Sequence, residues 1–462
     1  MLRASSVPEP SPHYPNGSSK HADVVRCHTV TGVEAWLGEY EKTTAWIGVR
    51  QAWGGEEPFG LLHADRRYHA WIVGKTGTGK TSLLRNLVIA DIEAGHGVGL
   101  IDPHGDLAED LLDYIPPRRI DDVVYFNPAD QEFPIGLNLL RSTPRDRRHL
   151  VASGVVSVFK SIWGDSWGPR LEYILYASVA ALLECHGVSL LGIQRLLVDD
   201  RYRASIVRQI RDPIVGAFWK TEFAAYDPKF LQEAIAPIQN KVGQLLMAPI
   251  VRNILGQVRS RIDPGFMMDN RRIFIGNLAK GRLGEDKSNL LGALLVASFQ
   301  LAAMARADRP EAERTDFFLF IDEFHNFSTD SFAAILSEAR KYRLCLTLSH
   351  QYIAQLNPEI RDAVFGNVGT IIAFRVGEAD AQVLSRQFDS EYSPRAFTDL
   401  ANREVAVRLL VDGENRQPFL GRTIMADHRR YGRRENIIRR SREKYAVPRA
   451  VIEDKIARWM EN

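Results

Sequence analysis

Gly74-Lys75-Thr76-Gly77-Thr78-Gly79-Lys80-Thr81 fits the pattern Gly-x-x-x-x-Gly-Lys-[Ser/Thr] in full. Phosphate charge is best met by a nest of backbone N–H groups at a helix start, and glycine lets the chain curl closely around the anion. Lys80 is placed to reach the β- and γ-phosphates, Thr81 offers a hydroxyl to Mg2+, and Ser82 follows within reach of the same phosphates. The expected ligands are ATP and Mg2+.

A phosphate loop that hydrolyses needs a partner carboxylate. The run Phe317-Phe318-Leu319-Phe320-Ile321-Asp322-Glu323 reads as a buried strand with two carboxylates at its carboxyl end. Asp322 is the candidate for the magnesium shell, and Glu323 the candidate to polarise the attacking water. Asp102, in Asp102-Pro103-His104-Gly105-Asp106, ends another strand and is a candidate to support metal or water. Asp, Pro and Gly are also the usual turn residues, so a plain turn is the rival reading. Gln351, in Ser349-His350-Gln351, is a candidate to sense the γ-phosphate or hold the water, whereas His350 reads as structural.

The elements around these residues alternate. Apolar strands at 69–73, 98–101, 123–126, 272–276, 317–321, 344–348 and 370–374 are separated by helical patterns at 80–92, 107–114, 290–305 and 332–341. This is an α/β pattern with a parallel sheet covered on both faces. Residues 146–263 lack a β signal and carry helical periodicity at 173–183, 206–218 and 238–254, which predicts an inserted all-α domain. The α/β domain therefore occupies 67–145 and 264–425. Residues 405–411 and 418–424 form its closing hairpin around Asp412-Gly413. A disordered tail is expected at 1–22, a small β-rich lead-in at 23–66 and a basic tail at 426–462.

Composition narrows the class. The chain has 462 residues, 45% hydrophobic and 25% charged, with net charge +2, so a nucleic-acid surface would have to be local. Cys27, Cys185 and Cys345 are isolated, which argues against a disulfide framework or a zinc site. The longest apolar run, 290–305, is short for a bilayer and reads as a buried helix, so no direct membrane insertion is expected.

Taken in order, the phosphate loop, Asp-Pro-His-Gly-Asp, the Asp-Glu strand, Glu338-Ala339-Arg340-Lys341-Tyr342 and the strand entering Ser349-His350-Gln351 resemble the HerA–FtsK superfamily of DNA-pumping ATPases. The helical insert and the stretch 275–285 look like its conjugative, type IV secretion coupling-protein branch. The resemblance implies a RecA-like sheet with an all-α domain, a hexameric ring with DNA at its centre, and an arginine supplied by a neighbouring subunit. Arg340 holds the matching position, and a cation satisfying a helix end is the rival reading. The resemblance further implies a relaxase or a membrane secretion channel as partner, and a cytoplasmic protein recruited to the inner membrane. Typical coupling proteins carry an N-terminal membrane segment that this sequence does not show. That difference leaves a soluble variant, one recruited by another membrane protein, or a HerA-like repair or antiviral translocase. A nucleotide-switched recruitment protein for a relaxase or effector is the separate alternative. Lys280 and Arg282, in a glycine-rich loop after a strand, are the candidate DNA contacts, with binding through the backbone and independent of sequence. The basic run from Arg429 to Lys444 is a further candidate for phosphate contacts, with a solvated helix face or a subunit contact as the rival readings.

Overall fold

The structure, a computed structural model, describes residues 44–461 apart from 142. The tail expected at 1–22, and the lead-in up to residue 43, lie outside the described residues.

One sheet dominates. Its strands are β1 (Thr44–Ala52), β2 (Gly55–Leu62), β3 (Ala70–Val73), β4 (Gly97–Asp102), β5 (Val123–Phe126), β6 (Ile273–Asn277), β7 (Phe317–Ile321), β8 (Leu344–His350), β9 (Thr370–Ala373) and β10 (Glu404–Arg408). A two-stranded ribbon of β11 (Leu410–Val411) and β12 (Glu414–Asn415) precedes β13 (Phe419–Thr423). The 11 strands of the main sheet run in the order β2-β1-β13-β10-β9-β3-β8-β7-β4-β6-β5. From β9 to β5 every pairing is parallel, and from β9 out to β2 every pairing is antiparallel. The described part of the lead-in is therefore no separate module: β1 pairs with β13 and extends this sheet.

The parallel strands are buried along their whole length because helices cover both faces. The helices that bear on the site and its supports are α1 (Lys80–Glu93), α2 (Asp106–Leu111), α3 (Arg148–Trp163), α4 (Pro169–Leu183), α5 (Glu285–Met304), α6 (Asp330–Glu338), α7 (Arg434–Tyr445) and α8 (Arg449–Glu461). Alternate residues of β3 enter separate cores: Ile72 packs with α1, and Trp71 and Val73 with a core that continues into the helical insert. The helix Glu285–Asp308, which begins as α5, is long and apolar enough to cross a membrane, and its apolar window is 67% buried within the fold. Gly292 in α5 permits a close approach, since a Cβ there would lie 2.2 Å from the Phe327 ring. The fully buried Phe324 and Phe327 wedge the loop after β7 against this helix.

No described strand falls between β5 and β6. Two of the helices expected in the insert are broken. The pattern at 206–218 divides at Asp212-Pro213, where the Asp212 carboxylate accepts the N–H groups of Ile214 and Val215 and Pro213 opens a new helix. The pattern at 238–254 divides at Ala248-Pro249. A residue before proline is steered out of the α region, so each proline restarts the helix that periodicity alone would continue.

The C-terminal segment is a strap more than a tail. The Ser441 hydroxyl of α7 accepts the Tyr125 N–H of β5 at 2.9 Å. In α8, Glu453 accepts from Asn253 at 3.1 Å, and Trp459 meets the Tyr202 ring at 5.6 Å, both on the insert. Arg430, Arg434, Arg442 and Lys444 are ion-paired with Asp113, Asp130 and Asp121, so much of the basic charge is structural.

Candidate functional site

The loop Gly74–Thr81 joins β3 to α1 at the carboxyl edge of the parallel strands. Its shape is held by backbone bonds from three other segments. Gly74 N–H donates to His350 O at 3.4 Å, Lys75 N–H to Arg375 O at 2.8 Å, and Arg403 N–H to Thr78 O at 2.9 Å. Gly79 has φ +120°, and a Cβ there would stand 3.2 Å from the Phe374 ring and 3.3 Å from Arg403 Cγ. Lys75, Thr76 and Gly77 are exposed, as are Thr81 and Ser82. Lys80 is buried and donates to Gly74 O and, at 3.2 Å, to Lys75 O. Burial lowers its pKa, and Glu323 and Asp322 pull in the opposite direction.

Asp322 follows β7, and its N–H bonds Ile101 O at 3.1 Å, which sets it beside the end of β4. Its carboxyl is pushed up to about 6, first by burial and then by the charges of Asp102 and Glu323. Asp102 is equally buried, and its two oxygens accept the N–H groups of His104 at 2.8 Å and Ala108 at 2.9 Å. It closes the turn into α2 and at the same time adds negative charge next to Asp322.

Glu323 adopts φ 43°, ψ 50°, a left-handed conformation that costs a non-glycine residue about 1–3 kcal/mol. Asp322 Oδ1 accepts the Glu323 N–H at 3.0 Å, and Asn326 donates its backbone and side-chain N–H groups to Glu323 O, which together hold that turn. The buried carboxylate accepts from Gln351 Nε2 at 2.9 Å through Oε1. Oε2 has no hydrogen-bond partner among the described residues and lies 3.6 Å from His325 Nδ1.

His325 and Gln355 were not legible as site residues, yet they close a ring around Glu323. Gln355 Oε1 accepts the N–H groups of Gln351 and Tyr352, both at 3.1 Å, so its amide nitrogen is left to donate to His325 Nε2 at 3.3 Å. That fixes the His325 proton on Nδ1, facing Glu323 Oε2. Burial lowers the His325 pKa and keeps the ring neutral near neutral pH. His350 is structural: it is buried, accepts from Trp71 Nε1 at 3.0 Å, and burial lowers its pKa to about 3. Arg375 and Arg403 were also missed. They lie far from the loop in sequence and are brought to it by β9 and β10.

Lys280 and Arg282 sit on a short turn docked beside Pro103, with the Lys280 N–H on Pro103 O at 2.9 Å. Lys280 Nζ bonds the Asn326 side chain and Glu285, and Arg282 pairs with Glu109 at 3.1 Å. Arg340 is exposed and stacked on the Tyr68 ring, 3.6 Å from its centroid. It precedes β8 and thus lies at the amino edge of the sheet, away from the phosphate loop of its own chain.

Residues 316–393 match a family model described as the TraM recognition site of TraD and TraG. This segment runs from the residue before β7 past β9 and contains Asp322, Glu323, Arg340 and Gln351. Among solved structures, the bacterial conjugative coupling protein TrwB, in its unbound ΔN70 form, aligns with TM-score 0.58 at 14% identity, over 80% of this chain and 88% of that one. Part of the chain thus matches a coupling-protein family model, and its fold is that of TrwB. TrwB in complex with ADP and Mg2+ aligns with TM-score 0.56 at 16% identity, over 82% of this chain and 90% of that one. VirB4 of Thermoanaerobacter pseudethanolicus gives TM-score 0.56 at 16% identity, over 82% and 96%. The likeness to these coupling and secretion proteins is one of fold. No curated protein sequence matches the chain significantly.

The buried charge of Asp322 makes a prediction for the nucleotide-free protein. The folded chain takes up its proton near pH 6 and the unfolded chain near 3.8, so the ion costs stability above pH 6 and nothing below the unfolded value. A shift of that size corresponds to about 3 kcal/mol. Asp322→Asn is therefore expected to raise Tm at about pH 8, with the gain shrinking as pH falls through 6 towards 4. An equal Tm for variant and wild type at the alkaline end would contradict the assignment.

Proposed function

We propose that the chain is an ATP-hydrolysing motor that assembles into a hexameric ring and moves DNA, in the manner of conjugative and type IV secretion coupling ATPases. The observation that carries the reading is the Glu323 carboxylate: Oε1 is fixed by Gln351, and Oε2 is buried and unpartnered beside the phosphate loop.

The residues fit a magnesium nucleotide. Lys80 reaches only carbonyls of its own loop, acceptors that phosphate oxygens would replace. Among the described residues no group of three or more His, Cys, Asp or Glu is arranged to hold a metal ion. Magnesium would thus be held by Thr81, Asp322 and the phosphates themselves, as is usual for this ion. Bound there, it neutralises phosphate charge. The loop from Gly74 to Thr78 surrounds the phosphates. The Gly74 and Lys75 N–H groups hold its shape through His350 O and Arg375 O, and those from Thr76 onward serve the phosphates. Gly79 and Ser82 flank them, and Lys80 binds the β- and γ-groups. Glu323 takes a proton from water as its oxygen bonds the γ-phosphorus and the bond to ADP breaks. Gln351 couples that carboxylate to the end of β8. Lys280, tied to Asn326, and Arg282 grip the DNA backbone next to the same loop. Exposed ion pairs such as Arg282–Glu109 are worth little and yield readily to phosphate. The motor works in the cytoplasm and meets a relaxase or a secretion channel at the inner membrane.

ATPase assays on wild type and Lys80→Ala, with light scattering on the same samples, test the reading. Turnover confined to wild type and to a hexamer-sized species is expected. Full activity of a monodisperse monomer would reject the ring.

A further inference from the structure

At the amino edge of the sheet, on the side opposite the phosphate loop, lies an open cavity of about 460 Å³. Its lining is Pro116, Pro117, Arg118, Arg429, Arg430, Tyr431 and Arg433: four arginines, one phenol and no carboxylate. The position follows from the chain. Arg118 precedes β5 and donates to Glu93 O at the end of α1, 2.5 Å away, and residues 429–433 lead into α7.

The backbone here is fixed. The Tyr431 and Gly432 N–H groups both donate to Asp113 O, at 2.6 and 3.1 Å. The buried Asp113 carboxylate lies behind the lining and binds Arg430 at 2.7 Å and Arg434 at 3.2 Å. Its charge is thereby committed to those two. Arg429 and Arg433 are exposed, and among the described residues neither has a hydrogen-bond or ion-pair acceptor. Arg429 instead lies over the Tyr431 ring, 5.1 Å from its centroid. Arg118 has only a carbonyl. Like charges held together on a fixed backbone raise the local potential and favour an anion between them.

We infer that this cavity is a binding site for the phosphodiester backbone of single-stranded nucleic acid, with Arg429, Arg433 and Arg118 as phosphate ligands and Tyr431 as a stacking face. Guanidinium groups match phosphate oxygens, and an aromatic ring beside a basic groove suits unpaired bases. The lining carries no Leu, Ile, Phe or Trp with which to enter a bilayer, so the chemistry favours a nucleic acid over a lipid surface. The inference rests on the DNA-binding reading above and gives it a second surface, distinct from Lys280 and Arg282.

The test uses the full chain and a fluorescent single-stranded oligonucleotide, followed by anisotropy across a salt series. Arg429→Ala/Arg433→Ala is expected to weaken binding about tenfold and to flatten the salt slope by about 1.4, the share of two phosphates. Arg429→Lys/Arg433→Lys should keep most of the slope. Binding of a fluorescent ATP analogue should be unchanged in both variants, because the cavity is remote from the phosphate loop. Unchanged oligonucleotide affinity and slope in the alanine variant would overturn this site and leave the DNA reading standing. Absence of oligonucleotide binding by wild type would overturn both. Loss of binding to phosphatidylglycerol vesicles, with oligonucleotide binding intact, would overturn the site in favour of a membrane surface.

Discussion

Glu323→Gln is expected to bind ATP as tightly as wild type and to hydrolyse it about 10²–10⁴-fold more slowly. The substitution keeps the shape of the side chain and an oxygen to accept from Gln351, now 2.9 Å away. Glutamine and glutamate share the same backbone preferences, so the left-handed turn at φ 43° is no more strained than before. Only the capacity to accept a proton is removed. Rapid-mix turnover beside equilibrium nucleotide binding checks this. A parallel loss of binding and rate would mean that Glu323 shapes the site instead of acting in it. His325→Ala should reproduce part of the rate loss, since its Nδ1–H faces the free oxygen.

Arg340→Ala is expected to lower kcat by about 10³–10⁵-fold, the usual worth of an arginine supplied by a neighbouring subunit. The geometry sets the terms. β8 has 7 residues, so Arg340 is separated from Gln351 by about 20 Å of strand. It serves a phosphate loop only if that loop belongs to another copy. Mixing Arg340→Ala with Lys80→Ala should then restore activity, because one variant keeps the loop and the other keeps the arginine. The competing account is local: the guanidinium stacks on Tyr68 at 3.6 Å, a contact worth about 0.5–2 kcal/mol. A merely structural Arg340 would lower Tm, and mixing would restore nothing.

What the sequence made legible follows from burial and spacing. Strands β3 to β9 are buried along their length and mostly apolar because helices cover both faces, so they stand out as apolar runs. The phosphate loop and the Asp322-Glu323 pair are local patterns, readable without tertiary knowledge. The rest is non-local. His325 and Gln355 meet across two loops, and Arg403 reaches Thr78 only because β10 lies beside β9. The join of β1 to β13 likewise brings together segments far apart in the chain. In the insert, periodicity ran across Pro213 and Pro249, where the local conformational bias of the residue before proline prevailed. The basic run at 429–444 shows the limit of counting charge. Only the structure separates Arg434, Arg442 and Lys444, which are ion-paired, from Arg429 and Arg433, which have no ion pair among the described residues.

The central claim is that this site drives movement along DNA, and steady-state ATPase activity with and without DNA tests it most directly. Single- and double-stranded DNA are each titrated into the wild-type chain at several protein concentrations. Turnover should rise with DNA of at least one form, rise more than linearly with protein, and vanish in Glu323→Gln. A rate proportional to protein and indifferent to DNA of either form would contradict the account.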